Sequence, residues 1–171
     1  EIDYGIAHLL FLEKCAKFPI INANLHITTN DARLFKSHYV MEIDGMKILF
    51  IGVLTDTVIS MAKKEALVGG FVGINDAAAE VERICNAYHG LDIDCTVLLT
   101  HIGGYPGRYN PNVRQEFLKS TPRLFVCGHS HILKVMADKK FGMLCVNPGA
   151  AGRYGQQTVR TLVRLVIDGD T

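Results

Sequence analysis

The sequence has no tryptophan, almost no net charge and no long apolar run. A formal net charge of +1 at pH 7 gives no reason to expect a nucleic-acid polymer as partner. No stretch approaches the ~20 apolar residues of a membrane-spanning helix, so we expect no membrane partner. No Gly-x-Gly-x-x-Gly motif follows a first strand, which argues against a Rossmann nucleotide-binding domain.

The five cysteines are odd in number and widely spaced, which fits neither a disulfide framework nor a zinc ribbon. We expect them to be reduced and to pack as small buried hydrophobic side chains. Reduced thiols favour a cytoplasmic location. The first residue is Glu1 rather than Met, so we expect a processed or trimmed chain whose compartment cannot be inferred from its N-terminus.

At 171 residues and 49% hydrophobic composition, the chain fits a single domain spanning residues 1–171. Helices and strands alternate in the first half and strands dominate the second, which predicts an α/β (α+β) fold of two packed mixed sheets with outer helices. The predicted helices are Ile6–Lys17, Asn75–Tyr88 and Pro111–Ser120, with an ambiguous short helix at Met61–Leu67. The predicted strands are Phe18–Leu25, Tyr39–Ile43, Met46–Val53, Asp94–Thr100, Arg123–Cys127, Ile132–Ala137, Phe141–Val146 and Thr158–Ile167.

Three histidines follow two of the apolar strands. Leu124–Cys127 leads into Gly128-His129-Ser130-His131, and Thr96–Thr100 leads into His101-Ile102-Gly103-Gly104. Open α/β sheets place their chemistry at the carboxyl ends of strands. Residues i and i+2 share one side of an extended backbone, so His129 and His131 are expected to converge with His101 on one divalent ion. The alternative for each histidine is an ordinary polar residue at a strand end.

Few carboxylates follow the apolar strands, where a site with two metal ions would need one. A pair of ions ~3.5–4 Å apart requires a bridging carboxylate. Asp92 and Asp94 precede a strand, Asp138 lies in a hairpin turn, and Asp168 lies near the C-terminus. Three imidazoles without such an acid would form a mononuclear zinc site with an open position.

Two groups of residues resemble the calcineurin-like metallophosphoesterases. Gly128-His129-Ser130-His131, with Thr100-His101 upstream, resembles the last two motif blocks of that superfamily, and residues 101–168 are most similar to its small single-domain phosphodiesterases. Residues 1–103 resemble its 5′-nucleotidase branch, where Glu1-Ile2-Asp3-Tyr4-Gly5 is similar to the residues that follow Gly-Asn-His.

The resemblance implies a four-layer αββα sandwich, here N-terminally incomplete, and a hydrolase with two divalent ions (Mn, Fe, Zn or Mg). His101 and His129 would be ligands of one ion, and His131 a ligand of the other. Asp3 would match the acid that orients a catalytic histidine. The implied substrate is a small phosphoester, which includes nucleotides.

The Asp-x-His, Gly-Asp and Gly-Asn-His blocks of the family have no counterpart in this sequence. We therefore expect the chain as given to hold one ion or none and to be weakly active or inactive as a phosphodiesterase or nucleotidase. We also expect it to self-associate or to require a complementing N-terminal segment, because missing strands expose sheet edges. The rival hypotheses are a mononuclear His₃ zinc-binding protein and a noncatalytic interaction module on the same sandwich.

Overall fold

The computed structural model describes residues 5–55, 72–119, 121–152, 157 and 159–168. Its helices are α1 (Ile6–Cys15), α2 (Ala77–Ala87) and α3 (Pro111–Lys119), and its strands are β1 (Leu25–Ile27), β2 (His38–Ile43), β3 (Met46–Val53), β4 (Val72–Ile74), β5 (Cys95–Thr100), β6 (Leu124–Cys127), β7 (Leu133–Asp138) and β8 (Met143–Pro148). Within these ranges, no helix is both long and apolar enough to cross a membrane.

A six-stranded mixed sheet forms the centre, with strand order β2-β3-β5-β6-β8-β7. Strands β3, β5, β6 and β8 are parallel, whereas β2 and β7 pair antiparallel at the two edges. The carboxyl ends of β5 and β6 therefore lie side by side, with Thr100 in register with Cys127. Strands β1 and β4 form a separate two-stranded antiparallel sheet.

The β2–β3 hairpin has the tight turn that an Asp-Gly pair between two strands favours. Asp44 and Gly45 connect the strands with φ values of +51° and +84°. A two-residue type I′ turn requires positive φ at both central positions, and Asp-Gly is among the residue pairs that favour it. The turn sets the register in which Ile43 faces Met46 and His38 faces Ile51.

Helices α2 and α3 pack against one face of the central sheet. Asn75 and Asp76 are both typical helix-capping residues. The cap of α2 is Asp76, whose Oδ1 accepts a hydrogen bond of 2.8 Å from Ala79 N. Ile84 of α2, Phe117 of α3 and Phe125 of β6 are at most 2% exposed. The buried members of this cluster are Ala23, Leu49, Ile51, Val53, Val81, Ile84, Leu98, Val113, Phe117, Phe125, Cys127, Met143 and Cys145.

The other face of the sheet carries a smaller cluster made of Ile48, Val97, Leu124 and Val146. Partly buried Phe50, Leu99 and Leu144 surround it. Helix α1 begins at Ile6, as predicted, but none of its residues is buried.

Two predicted strands are wrong. Phe18–Leu25 is not a strand, because the side chain of Asn22 accepts hydrogen bonds from Asn24 N and Leu25 N and turns the chain before β1. The described part of Thr158–Ile167 is irregular: Thr161 N bonds the loop carbonyl of Ala150.

The predicted helix at residues 61–67 lies outside the described residues. All five cysteines are free, and Cys127 and Cys145 are buried as predicted. Cys85 and Cys95 are half-buried, but Cys15 is exposed, because α1 contributes no side chain to a core.

Candidate metal centre

Two turns meet at the carboxyl edge of the central sheet. His101 follows the last residue of β5, and Gly128-His129-Ser130-His131 follows the last residue of β6. Gly128 N donates a hydrogen bond of 3.1 Å to His101 O, which ties the two turns together. The prediction that the two histidine-bearing strands end at one place is confirmed, because β5 and β6 are adjacent and parallel.

The imidazoles of His101 and His129 face each other. His129 Nδ1 lies 3.1 Å from His101 Nε2, and the ring centroids are 5.0 Å apart at an interplanar angle of 78°. Two nitrogens bound at about 2.0–2.1 Å to one ion lie about 2.8–3.4 Å apart for ligand angles from 90° to tetrahedral. The observed spacing therefore fits two ligands of one ion. Both side chains belong to exposed residues, so the pair is open to solvent.

His131 follows the pair in the same turn. Its φ is +56° and that of His129 is +66°, so the backbone turns after β6 rather than staying extended. The expectation of an extended i, i+2 arrangement is therefore wrong. Among the residues that the structure describes, no three His, Cys, Asp or Glu side chains form a group able to hold a metal ion.

The roles of the individual site residues stay predictions. The structure brings His101 and His129 together, and His131 follows them in the same turn without completing a group of three. Asp3, the fourth predicted site residue, lies outside the described residues.

The surroundings of His101 favour its neutral imidazole, the form that binds metals. The pKa of His101 is lowered, first by partial desolvation and also by repulsion from the nearby charges of His129 and His131 when these are protonated. The lowered pKa favours the form of His101 in which one ring nitrogen carries a lone pair.

Close packing beneath His101 explains the Gly-Gly sequence that follows it. A Cβ on Gly103 would collide with the ring of Phe125 and would lie 2.6 Å from Cys127 Cβ. Gly104 has φ +83°, and a Cβ there would collide with the carbonyl of Arg108. The missing side chain of Gly103 lets the backbone after β5 lie against β6, and that of Gly104 lets it approach residues 108 and 109.

A groove beside His129 contains a cation that the sequence analysis missed. Its walls include Tyr105, Ser130, Lys134 and Asn147. Lys134 Nζ lies 3.3 Å from the centroid of the Tyr105 ring, which holds the ammonium group by a cation–π interaction. The register of β7 against β8 places Lys134 opposite Asn147. The sequence gives only a weak indication that Lys134 belongs to a site, because a single lysine in a hairpin strand ordinarily faces solvent.

Asp138 serves a structural role away from this edge. The Tyr109 hydroxyl donates a 2.6 Å hydrogen bond to Asp138 Oδ2, while Lys140 N and Phe141 N donate to Asp138 Oδ1. These bonds, with that from Tyr109 first, lower the pKa of the Asp138 carboxyl. The burial of Tyr109 and the bond to the carboxylate raise the pKa of the phenol. The network closes the β7–β8 hairpin.

Comparison with known proteins decides the family. The calcineurin-like phosphoesterase superfamily domain matches residues 11–170. The chain belongs to this superfamily. The fold class predicted from the resemblance is confirmed, because solved members share the topology. The chain superposes on the calcineurin-like phosphoesterase YfkN from Bacillus subtilis with a TM-score of 0.67 and 18% identity, covering 86% of this chain and 51% of that one.

Curated relatives agree with the family. Protein UshA of Yersinia enterocolitica is 27% identical over 157 residues, which is 87% of this chain and 28% of that protein. A 5′-nucleotidase of Vibrio cholerae is 26% identical over 106 residues, which is 61% of this chain and 19% of that protein. The chain therefore spans less than a third of the length of these relatives.

Proposed function

We propose that this calcineurin-like phosphoesterase domain forms part of a metal-dependent hydrolase of small phosphoesters, with nucleotides as the leading substrate class. The observation that carries the proposal is the 3.1 Å approach of His129 Nδ1 to His101 Nε2 at the carboxyl edge of the sheet. The relation to a protein named as a 5′-nucleotidase supports nucleotides over other phosphoesters. The alternative within the family is a phosphodiesterase.

The residues of this chain have separate tasks in the proposed reaction. His101 and His129 hold a divalent ion, with Mn, Fe, Zn and Mg as the candidates, and His131 is the proposed ligand of a second ion. Divalent ions in such sites stabilise the charge that develops on the phosphoryl oxygens. Lys134 lines the groove next to His129 and offers an ammonium group to a phosphate oxygen. The groove thus orients the anionic part of the substrate beside the imidazole pair.

We further propose that the 171-residue chain alone hydrolyses phosphoesters weakly or not at all. A dinuclear site needs a carboxylate between its ions. The described residues offer an imidazole pair, and no acidic side chain joins it in a metal-holding group. A segment of the native reading frame that carries an Asp-x-His motif would supply the missing ligands.

The experiment compares this chain with the complete native reading frame. A chromogenic phosphodiester and 5′-nucleotides are incubated with each protein and Mn²⁺. We expect turnover by the complete protein, loss of it in His129→Ala and little change in His89→Ala, which removes an exposed histidine beyond the C-terminal end of α2. No turnover by the complete protein, or equal turnover in wild type and His129→Ala, overturns the proposal.

Metal analysis separates the two rival functions. The proposed hydrolase retains two divalent ions per complete protein after dialysis. One tightly held zinc per chain would support a mononuclear zinc-binding protein instead. The interaction module predicts no retained metal and no loss of stability when His101, His129 and His131 are replaced.

A further inference from the structure

The side chain of Asn147 connects the end of β8 to the turn that carries His129. Asn147 is buried, with 7% of its surface exposed. Its Nδ2 donates hydrogen bonds to Gly128 O at 2.9 Å and Ser130 Oγ at 3.0 Å, while its Oδ1 accepts from Gly149 N at 3.0 Å. Both the NH₂ group and the oxygen of the Asn147 side chain are therefore hydrogen-bonded, and the NH₂ group donates only to the turn at residues 128–131.

The turn needs such support because its backbone is strained. His129 and His131 both have positive φ, a conformation that side chains with a Cβ disfavour. Within the turn, Ser130 N donates to Gly128 O at 2.8 Å, and this same carbonyl accepts from Asn147. The hydrogen bond from Asn147 in β8 therefore holds the Gly128 carbonyl in place and opposes a change in the backbone conformation of His129.

The loop behind Asn147 is anchored as well. Thr161 Oγ1 donates a 2.7 Å hydrogen bond to Pro148 O, and Thr161 N donates to Ala150 O at 2.9 Å. Gly149 has φ +78°, and a Cβ there would collide with Thr161 Oγ1. Asn147 thus extends from a fixed support toward the histidine-bearing turn.

We propose that Asn147 is a positioning residue that holds the 128–131 turn so that His129 Nδ1 faces His101 Nε2. The metal-binding part of this inference rests on the proposed function, in which His101 and His129 bind one ion. Asn147 bonds none of the imidazole nitrogens in the described structure; it acts through the carbonyl of Gly128 and the hydroxyl of Ser130.

The first test measures Zn²⁺ affinity by calorimetry in the complete native protein, as wild type and with Asn147→Ala or Ile84→Ala. Loss of a residue that orients metal ligands lowers affinity by about 10–100-fold, so we expect that loss in Asn147→Ala. Ile84 is 1% exposed in the helical layer, and its replacement controls for a general loss of stability. We expect a change of less than about threefold in Ile84→Ala, because its side chain orients no ligand.

The second test needs no metal and decides the inference by itself. Crystal structures of the metal-free wild type and Asn147→Ala give the distance between His129 Nδ1 and His101 Nε2. We expect the short spacing in wild type and its loss in the variant. Retention of about the same spacing in Asn147→Ala overturns the positioning role, whatever the affinity. A complete native protein that binds no Zn²⁺ contradicts the proposed function instead.

Asn147→Asp is the second variant in case Asn147→Ala does not fold. It keeps the size of the side chain and the acceptor for Gly149 N, but it removes the donor to Gly128 O. We expect the spacing of the imidazoles to be lost here as well, and its retention overturns the inference equally.

Discussion

Replacing Gly103 with alanine tests how tightly the turn after β5 is packed. The added Cβ would collide with the ring of Phe125 and lie 2.6 Å from Cys127 Cβ. Phe125 is 0% exposed, and its centroid is 4.9 Å from that of Phe117, so its ring has little room to move. Cys127 lies within β6 and is fixed by its pairing with Thr100. The strain must therefore be taken up by the turn that carries His101.

Overpacking a rigid core by one methyl group costs about 1–3 kcal/mol, and we expect Gly103→Ala to lie in the upper half of that range. Urea unfolding followed by far-UV circular dichroism measures the loss, since the chain has no tryptophan. Gly152→Ala is the matched control, because a Cβ at Gly152 meets nothing within 4 Å. A loss below about 0.5 kcal/mol in Gly103→Ala, the range of ordinary surface substitutions, would refute the reasoning.

Three further measurements probe other parts of the fold. Burial opposes ionisation of Glu80, but hydrogen bonds from Arg33 and Arg83 outweigh it and hold its pKa below the usual value. Glu80→Gln should therefore lower the free energy of unfolding at pH 7. In urea titrations, the difference in this free energy between wild type and variant should shrink as pH falls below about 4, because protonation removes the stability that a lowered folded pKa provides. A difference that stays constant with pH would contradict this. Tyr109→Phe should lower the free energy of unfolding, measured by chemical denaturation, by about 1.5–3 kcal/mol, because the Tyr109 hydroxyl donates a hydrogen bond to a buried carboxylate. An unchanged free energy of unfolding would contradict this expectation. Leu162, Val166 and Val159 are 84%, 69% and 64% exposed, so size-exclusion chromatography should show self-association, and a compact monomer would count against it.

The turn of the β2–β3 hairpin and the start of α2 could be predicted from the sequence, because neighbouring residues determine each of them. Asp44-Gly45 predicts its hairpin because two adjacent residues supply both positive φ angles. Asn75 and Asp76 both predict a helix start at this point, and the Asp76 side chain supplies the cap. The meeting of His101 and His129 follows from two apolar runs that end in histidine, once β5 and β6 are adjacent and parallel.

Features that depend on distant partners could not be predicted in this way. The left-handed conformations fall on His129 and His131, which are not glycines, so the sequence does not mark these positions. They accompany the bonds from Asn147, which lies 17 residues or more from its two partners in the turn. The bond from Tyr109 to Asp138 crosses 29 residues. The alternating pattern of Thr158–Ile167 is typical of a strand, but alternation alone supplies no neighbouring strand with which to pair.

X-ray absorption spectroscopy of the zinc-loaded complete protein tests the central claim, that His101 and His129 share one divalent ion. Imidazole rings give a distinct outer-shell scattering pattern, so the number of histidine ligands can be compared between wild type and His129→Ala. We predict imidazole scattering in wild type and a lower average number of imidazoles per zinc in the variant, because one histidine ligand is removed. A wild-type spectrum without imidazole scattering, or one that His129→Ala leaves unchanged, would contradict the shared site.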